Sequence, residues 1–178
     1  MRRYQALSRC RLGDEIVLSL LAAKHAERLF ELTDRNRRQL RRWLPWVDAA
    51  KSARASRLFI DSALKQNRRK DGFHCGIWFR GALAGVIGLH RIDWPNRTAA
   101  IGYWLGAGFQ GRGLMTRSCA ALVAHCFSKL GLNRVEIRCA TANVRSRKIP
   151  QRLGFKKEGV LRGAGIDISG LRLNTSGA

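Results

Sequence analysis

Apolar positions along this chain alternate between two periods. Leu7 to Leu20, interrupted by Gly13-Asp14, reads as a short strand or hairpin. Ala22 to Asn36 carries Ala22, Ala26, Leu29, Phe30 and Leu32 at roughly helical spacing. Arg37 to Trp43 is a second short helical stretch that leads into Pro45-Trp46. Ser52 to Arg69 is another helix, with Ala55, Leu58, Phe59 and Ala63 on one side. After the Asp71-Gly72 turn the period drops to that of strands. Phe73 to Phe79, Leu83 to Leu89 and Ala99 to Leu105 are apolar runs, separated by a tight Arg80-Gly81 turn and a looser Pro95-Asn96 turn. From Leu114 to Leu130 the period is helical again, with Cys119, Leu122, Val123, Cys126, Phe127 and Leu130 on one face. Gly131 stands where a helix C-terminus needs a left-handed residue. Arg134 to Ala140 predicts a strand, Asn143 to Leu153 a short helix closed by Gly154, and Phe155 to Leu161 a last strand.

The order is helices, an antiparallel meander, β-α-β and then α-β. That order predicts an α+β fold with a mixed central sheet flanked by helices. With 178 residues and a hydrophobic fraction of 46%, residues 1–178 suit a single domain with a real core. The apolar run Leu18 to Ala23 is too short for a signal peptide or a membrane span, so a cytoplasmic protein without a membrane partner is expected.

Five cysteines at wide spacing, with no C-x-x-C pair, argue against a disulfide framework or a metal site. Cys119 and Cys126, seven apart on the apolar helix face, read as small buried hydrophobes. The net charge of +22 changes the picture more. Basic residues cluster at Arg35–Arg42, Arg68–Lys70, Arg145–Lys148 and Lys156–Lys157. Such an excess attracts polyanions, including RNA and phosphorylated cofactors. An arginine-biased solvated surface accounts for the same numbers.

The segment Gln110-Gly111-Arg112-Gly113-Leu114-Met115-Thr116 carries the candidate chemistry. It joins the run Ile101-Gly102-Tyr103-Trp104-Leu105 to the helix that begins at Leu114. A glycine-spaced loop between a strand and a helix N-terminus offers free backbone N–H groups and the positive end of a helix dipole, which suits a phosphate. Arg112 adds charge. Thr116 offers a hydroxyl or serves as an ordinary first-turn residue.

In their order along the chain, several elements resemble the GCN5-related N-acetyltransferases (GNAT), and within them the RimJ/RimL-type ribosomal-protein N-terminal acetyltransferases. They are Arg42-Trp43-Leu44-Pro45-Trp46-Val47 after Asp34-Arg35-Asn36, then Ile101-Gly102-Tyr103-Trp104-Leu105, then the glycine loop, in which Gln110 and Gly113 fit the family pattern. Asn143-x-x-Ser146, Leu153-Gly154-Phe155 and Glu158-Gly159-Val160-Leu161-Arg162 complete the set. The resemblance covers about residues 7–162. It implies that the amides of Gly111, Arg112, Gly113, Leu114, Met115 and Thr116 hold the pyrophosphate of acetyl-CoA as cosubstrate. It further implies that the flanking strands splay apart, and that the pantetheine arm pairs with the backbone of Trp104 and Leu105. Asn143 would bond that arm, and it also reads as an N-cap.

Acetyl transfer to an amine needs a neutral amine, a stabilised oxyanion and a proton for the departing thiolate. It needs no metal. Backbone N–H groups near Trp104-Leu105 are the candidate oxyanion donors. Many relatives carry a tyrosine acid where this chain has Ile149-Pro150, so Ser146 is the remaining candidate; its plain alternative is a solvent-facing helix residue. Relatives often carry an acid before Ile-Gly-Tyr, where this chain has Ala100. Between Trp94 and Lys157 Glu136 is the sole carboxylate, so it is the candidate base, or else a partner for Arg134 or Arg138. His90 and Asp93 are weaker candidates. The Trp43–Trp46 segment either grips an acceptor or anchors one helix to the next.

Residues 163–178 lack aromatics and show little strand pattern. They imply an atypical or shortened C-terminal strand pair: either the pair is missing, or a short substitute forms around Ile166-Ile168. The expected acceptor is the N-terminal amine of a protein or peptide, ribosomal in the nearest branch, with a monomer or homodimer as the assembly. Two alternatives stand beside it: a GNAT enzyme acting on a small-molecule amine such as a polyamine or antibiotic, and a catalytically silent basic module that binds CoA or RNA.

Overall fold

The computed structural model describes residues 4–161 and the backbone of residues 168–174. Its elements in chain order are β1 (Arg9–Leu12), β2 (Ile16–Leu20), α1 (Ala26–Arg35), α2 (Arg37–Leu40), α3 (Ala53–Arg69), β3 (Phe73–Phe79), β4 (Ala82–Asp93) and β5 (Thr98–Leu105). They continue with α4 (Leu114–Ser128), β6 (Arg134–Ala140), α5 (Val144–Arg152), β7 (Lys156–Leu161) and β8 (Ile168–Asn174). The strands form one mixed sheet in the order β1-β2-β3-β4-β5-β6-β8-β7. All neighbours are antiparallel except β5 and β6, which α4 joins by a crossover.

Strand alternation divides the apolar residues between two cores. One face of the sheet presents Phe73, Cys75, Ile77, Ile87, Leu89, Ile101, Val135 and Ile137 to Leu114, Cys119, Leu122 and Cys126 of α4. The opposite face packs Leu83, Val86, Trp78 and Trp104 against Leu29, Leu32 and Ile60 of α1 and α3. Cys119 and Cys126 are fully buried, and burial pushes both thiols up to about 12. They are packing groups, as their spacing predicts.

The punctuation residues act as the sequence suggests. Arg80 and Gly81 both take positive φ, the geometry of a two-residue hairpin turn between β3 and β4. The Arg80 amide donates to the Glu15 carbonyl at 2.8 Å, and its guanidinium pairs with the Glu15 carboxylate, so this hairpin is tied to the β1–β2 turn. After α4, Gly131 has a φ of 68°, and the Leu132 amide reaches back to the Cys126 carbonyl at 3.0 Å. That closes the helix as a left-handed C-terminal residue should.

Three boundaries differ from the sequence pattern. The helix expected from Ala22 starts at Ala26, because the Ala22 N–H donates to His25 Nδ1 at 3.0 Å and closes a short 3-10 turn first. The second meander run does not stop at Leu89. β4 continues to Asp93 through an irregularity between Leu89 and Ile92, which hides the two-residue alternation. The tail does not lack its strand pair: β8 pairs with β6 from Arg134↔Asn174 to Ala140↔Ile168 and with β7 on its other edge. Backbone hydrogen bonding on both edges makes a strand here without a strong side-chain pattern. Ile166, which with Ile168 marked the expected substitute, lies outside the described residues, as do the rest of 162–167 and 175–178.

Two tests follow from this packing. A Cβ added to Gly85 would lie 2.2 Å from the Trp104 carbonyl oxygen, a backbone atom that moves only with β5. Gly85→Ala is expected to cost about 2 kcal/mol or more in urea unfolding. His74 is partly buried on β3, and burial, assisted by the charge of nearby His90, holds its pKa at about 4. The unfolded chain takes up this proton near pH ~6.5. Between those values the unfolded state binds more protons, so stability falls as pH drops from ~6.5 toward 4, by up to about 3 kcal/mol. The urea midpoint should therefore fall between pH 7 and pH 5, and His74→Gln should flatten that slope; an unchanged slope contradicts the assignment.

Candidate functional site

The parallel pairing of β5 and β6 is short. It runs from Thr98↔Arg134 to Ile101↔Ile137 and then ends, although β5 continues to Leu105 and β6 to Ala140. Past Ile101 the two strands splay, as the family resemblance implies. β5 stays paired to β4 there, Trp104 opposite Val86 and Leu105 opposite Gly85. The backbone groups of β5 that point away from β4 therefore face the opening.

The glycine loop stands at the mouth of this fork. Gly111 and Gly113 have φ of 78° and 71°, and open space surrounds the position of a Cβ at each. Backbone conformation, not crowding, calls for glycine at both. Leu114 and Met115 are buried in the α4-side core and pin the helix start, whereas Gly111, Arg112 and Gly113 are exposed. The first α4 hydrogen bond runs from the Arg117 amide to the Gly113 carbonyl. Among the described residues no backbone acceptor meets the N–H groups of Gly111, Arg112, Gly113, Leu114, Met115 or Thr116. A run of unpaired amides at the positive end of a 15-residue helix can hold an anion.

Side chains fix the loop on both flanks. Gln110 donates from Nε2 to the Leu105 carbonyl at 3.4 Å and accepts from Arg145 of α5 at 3.0 Å. The Asn36 carboxamide at the end of α1 accepts from the Ala107 amide at 2.7 Å. The Arg112 guanidinium lies 5.7 Å from the centroid of Phe79. Arg112 within the loop and Arg145 of α5 thus bring two cations to it.

α5 lies against the fork. Asn143 Oδ1 accepts from the Ser146 amide at 3.2 Å, so Asn143 is the N-cap of α5. The Tyr103 hydroxyl on β5 donates to the Ser146 carbonyl at 3.0 Å. The Cys139 thiol on β6 also bonds Ser146, and burial raises its pKa despite that bond. Ser146 is thereby placed between the two splayed strands. Tyr103 was missed as a site residue because Ile-Gly-Tyr-Trp-Leu reads as strand core. Its phenol, raised above the ordinary range chiefly by burial, keeps its proton and holds α5 in place.

Glu136 does not join this group. Its side chain leaves β6 on the face opposite to Val135 and Ile137, and Cys139 shares the face of those two. Arg134 Nε donates to Glu136 Oε1 at 2.7 Å, and Arg138 donates to Oε2 at 3.2 Å. Burial opposes the charge of Glu136, but the hydrogen bonds and charges of Arg134 and Arg138 outweigh it and hold the carboxyl below its usual range. Arg134 also reaches across β8 to Glu158 on β7 at 2.8 Å.

His90 shares that face of the sheet. A Cβ on Gly102 would lie 1.8 Å from His90 Nε2, so the ring rests directly on β5 just past the last β5–β6 pair. Part of His90 is exposed to solvent. The protein around the rest desolvates it enough to lower its pKa, which keeps it neutral near pH 7. No sequence pattern distinguishes this histidine from one that merely ends a strand. Asp93 lies further along β4, capped onto Asn96 at 2.8 Å. The Trp46 ring, 43% exposed, stands 6.0 Å from the Trp104 ring. Val47 beside it is fully buried and Arg37 bonds the Val47 and Ala50 carbonyls, so the segment is both an anchor and an aromatic surface.

Comparison with known proteins agrees with this geometry. The family model described as "Acetyltransferase (GNAT) domain" matches residues 15–156. The protein named "Putative ribosomal N-acetyltransferase YdaF" from Bacillus subtilis (strain 168) is 38% identical over 163 residues, covering 91% of this chain and 88% of its own length. Among solved structures, RimL, the ribosomal L7/L12 α-N-protein acetyltransferase in complex with coenzyme A, superposes with a TM-score of 0.90 at 25% identity. The match covers 93% of this chain and 97% of RimL. The microcin C7 self-immunity acetyltransferase MccE, solved with acetyl-CoA and AMP, gives a TM-score of 0.89 at 32% identity, covering 94% and 96% of the two chains. With the forked sheet, the glycine loop and a family match over most of its length, the chain belongs to the GNAT acetyltransferases.

Proposed function

We propose that this GNAT enzyme transfers the acetyl group of acetyl-CoA to the N-terminal α-amine of a protein, with ribosomal proteins as the expected acceptors. One observation carries the reading: the β5–β6 pairing ends at Ile101↔Ile137, directly beside a loop of six unpaired amides. The residues suit the cosubstrate. The amides from Gly111 to Thr116, with Arg112 beside them, fit a pyrophosphate. Gln110 keeps the loop in register with the end of β5. The free backbone edge of Trp104 and Leu105 fits the amides of a pantetheine arm, and the Asn143 side chain, with Oδ1 engaged as cap, keeps its NH2 for the same arm. Acetyl-CoA supplies a thioester carbonyl activated for attack.

Each remaining requirement has a residue. An N–H of the free β5 edge stabilises charge that develops on the carbonyl oxygen. Ser146, held by Asn143 and Tyr103, offers its hydroxyl near the departing sulfur. On the opposite face His90, a neutral imidazole, is better suited than Glu136 to accept the proton of the incoming amine. Glu136, clamped by Arg134 and Arg138, stays ionised and is committed to those guanidiniums, so it is poorly placed to take the amine's proton. An α-amine arrives partly neutral, since it titrates near pH ~8. The cytoplasm is the expected place of work. Likeness to RimL and to the ribosomal relative favours a protein acceptor. Likeness to MccE favours the second reading, a small-molecule amine.

Thiol release from acetyl-CoA, measured over a panel of peptide N-termini and small amines, separates these readings. Turnover with peptides is expected to exceed that with polyamines; the reverse order selects the small-molecule acceptor, and no turnover with any amine selects the silent module. Asn143→Asp tests the arm contact, because aspartate keeps the cap but loses the amide donor. It should leave the melting temperature nearly unchanged while raising KM for acetyl-CoA, whereas Asn143→Ala should also lose about 1 kcal/mol of stability.

A further inference from the structure

The positive charge of this chain is not spread evenly. Nine of its twelve acidic residues precede Trp94, whereas twelve lysines and arginines lie between Trp94 and Lys157 against Glu136 alone. Ten of those twelve are exposed, and five of the ten stand together on α5 and the start of β7. Arg145, Lys148 and Arg152 are exposed and stand at i, i+3 and i+7, so they line one helical face. The stripe is about 10 Å long at 1.5 Å per residue. After the Leu153–Gly154 turn, Lys156 and Lys157 follow on β7, the strand at this edge of the sheet, where both are exposed, one on each face. None of these five makes an ion pair among the described residues. Glu158, the nearest acid in sequence, is engaged by Arg134.

The contrast with α3 is informative. That helix is also basic, but Arg57 is paired with Asp61, and exposed Leu58 and Phe59 interrupt its surface. On α5 and β7 the exposed apolar residues, Val144 and Leu161, stand at the two ends and leave 145–157 without one. Its one aromatic, Phe155, is buried, so no ring is available to stack on an unpaired base. A ladder of cations about 10 Å long matches the rise of about three nucleotides along a strand.

We propose that α5 and the start of β7 form a binding surface for the phosphate backbone of duplex nucleic acid. The surface recognises charge and helical shape rather than sequence. It adjoins the acetyl-transfer site through Arg145, which also holds Gln110; the other four cations lie outside that site. This proposal stands apart from the acetyltransferase reading, and a failure of either leaves the other intact.

Fluorescence anisotropy with a labelled RNA hairpin and a DNA duplex of equal length tests it. The intact protein should bind both at physiological salt with Kd of about 10⁻⁶ to 10⁻⁴ M, and more tightly at lower salt, and the tighter of the two identifies the preferred helical form. The triple variant Lys148→Glu/Arg152→Glu/Lys156→Glu should weaken binding at least about tenfold and flatten the plot of log K against log salt by about two to three units. The charge-matched control Arg54→Glu/Lys65→Glu/Arg68→Glu on α3 should weaken it no more than about twofold. Both variants should keep the cooperative thermal melting of the intact protein, which reports an intact fold. Should the α5–β7 variant fail to fold, hydrogen exchange on the intact protein replaces it, with protection by RNA expected within residues 145–157. Equal losses in the two variants, displacement of RNA by acetyl-CoA, absence of binding, or protection confined to α3 would each overturn the proposal.

Discussion

The candidate site depends on where one pair of strands stops bonding. β5 and β6 are parallel, and their ladder ends at Ile101↔Ile137 while both strands run on. Ile101 and Ile137 are both buried against α4, which holds the fork closed up to that point. Beyond it, β5 keeps its antiparallel partner β4, and β6 keeps β8. Each strand is therefore rigid on its outer edge and unpaired on its inner edge. An unpaired edge needs a partner, and in this fold an extended polar chain can supply one. Close packing beneath the fork is tight, for Gly85 and Gly102 leave no room for a Cβ beside Trp104 and His90.

The crossover helix makes the fork a site. α4 must connect two parallel neighbours and so begins at the end of β5. Its N-terminus, with unpaired amides, consequently lies at the mouth of the opening. Leu114 and Met115 bury on the core side and leave Gly111–Gly113 outside. α5 closes the opposite flank through Tyr103, Cys139 and the Asn143 cap, all of which converge on Ser146. Ionisable groups divide by face. Ser146 and the raised phenol and thiol lie on the α4 side, and Glu136 and His90 on the other. A proton donor and a proton acceptor can then stand on opposite sides of one opening.

Much of this was legible in the chain. The helical period of α4, the positive-φ glycines before it and Gly131 after it are local signals, and local signals survive folding unchanged. Cys119 and Cys126 were legible as core for the same reason. The misses are non-local. β8 lies between β6 and β7, an order that no run of side chains encodes, and its backbone is secured by pairing on both edges. The continuation of β4 past Leu89 is masked by a register shift. The convergence of Tyr103 with Ser146 spans 43 residues, and that of His90 with Gly102 needs two strands in register. Glu136 was legible as the sole carboxylate of its region, with Arg134 and Arg138 already named as alternative partners, and it is those two that engage it.

The most direct test of the account is the thermal shift produced by acetyl-CoA in the intact protein and in Gly113→Glu. The intact protein should melt several degrees higher at about 100 times Kd, as binding to the folded state alone stabilises by about 2.7 kcal/mol. Gly113→Glu places a carboxylate at the loop amides and a side chain at positive φ, and should abolish the shift while the variant still melts cooperatively. An intact protein whose melting temperature does not respond to acetyl-CoA, or a Gly113→Glu variant that responds equally, would contradict the claim that the fork and its glycine loop hold the cosubstrate.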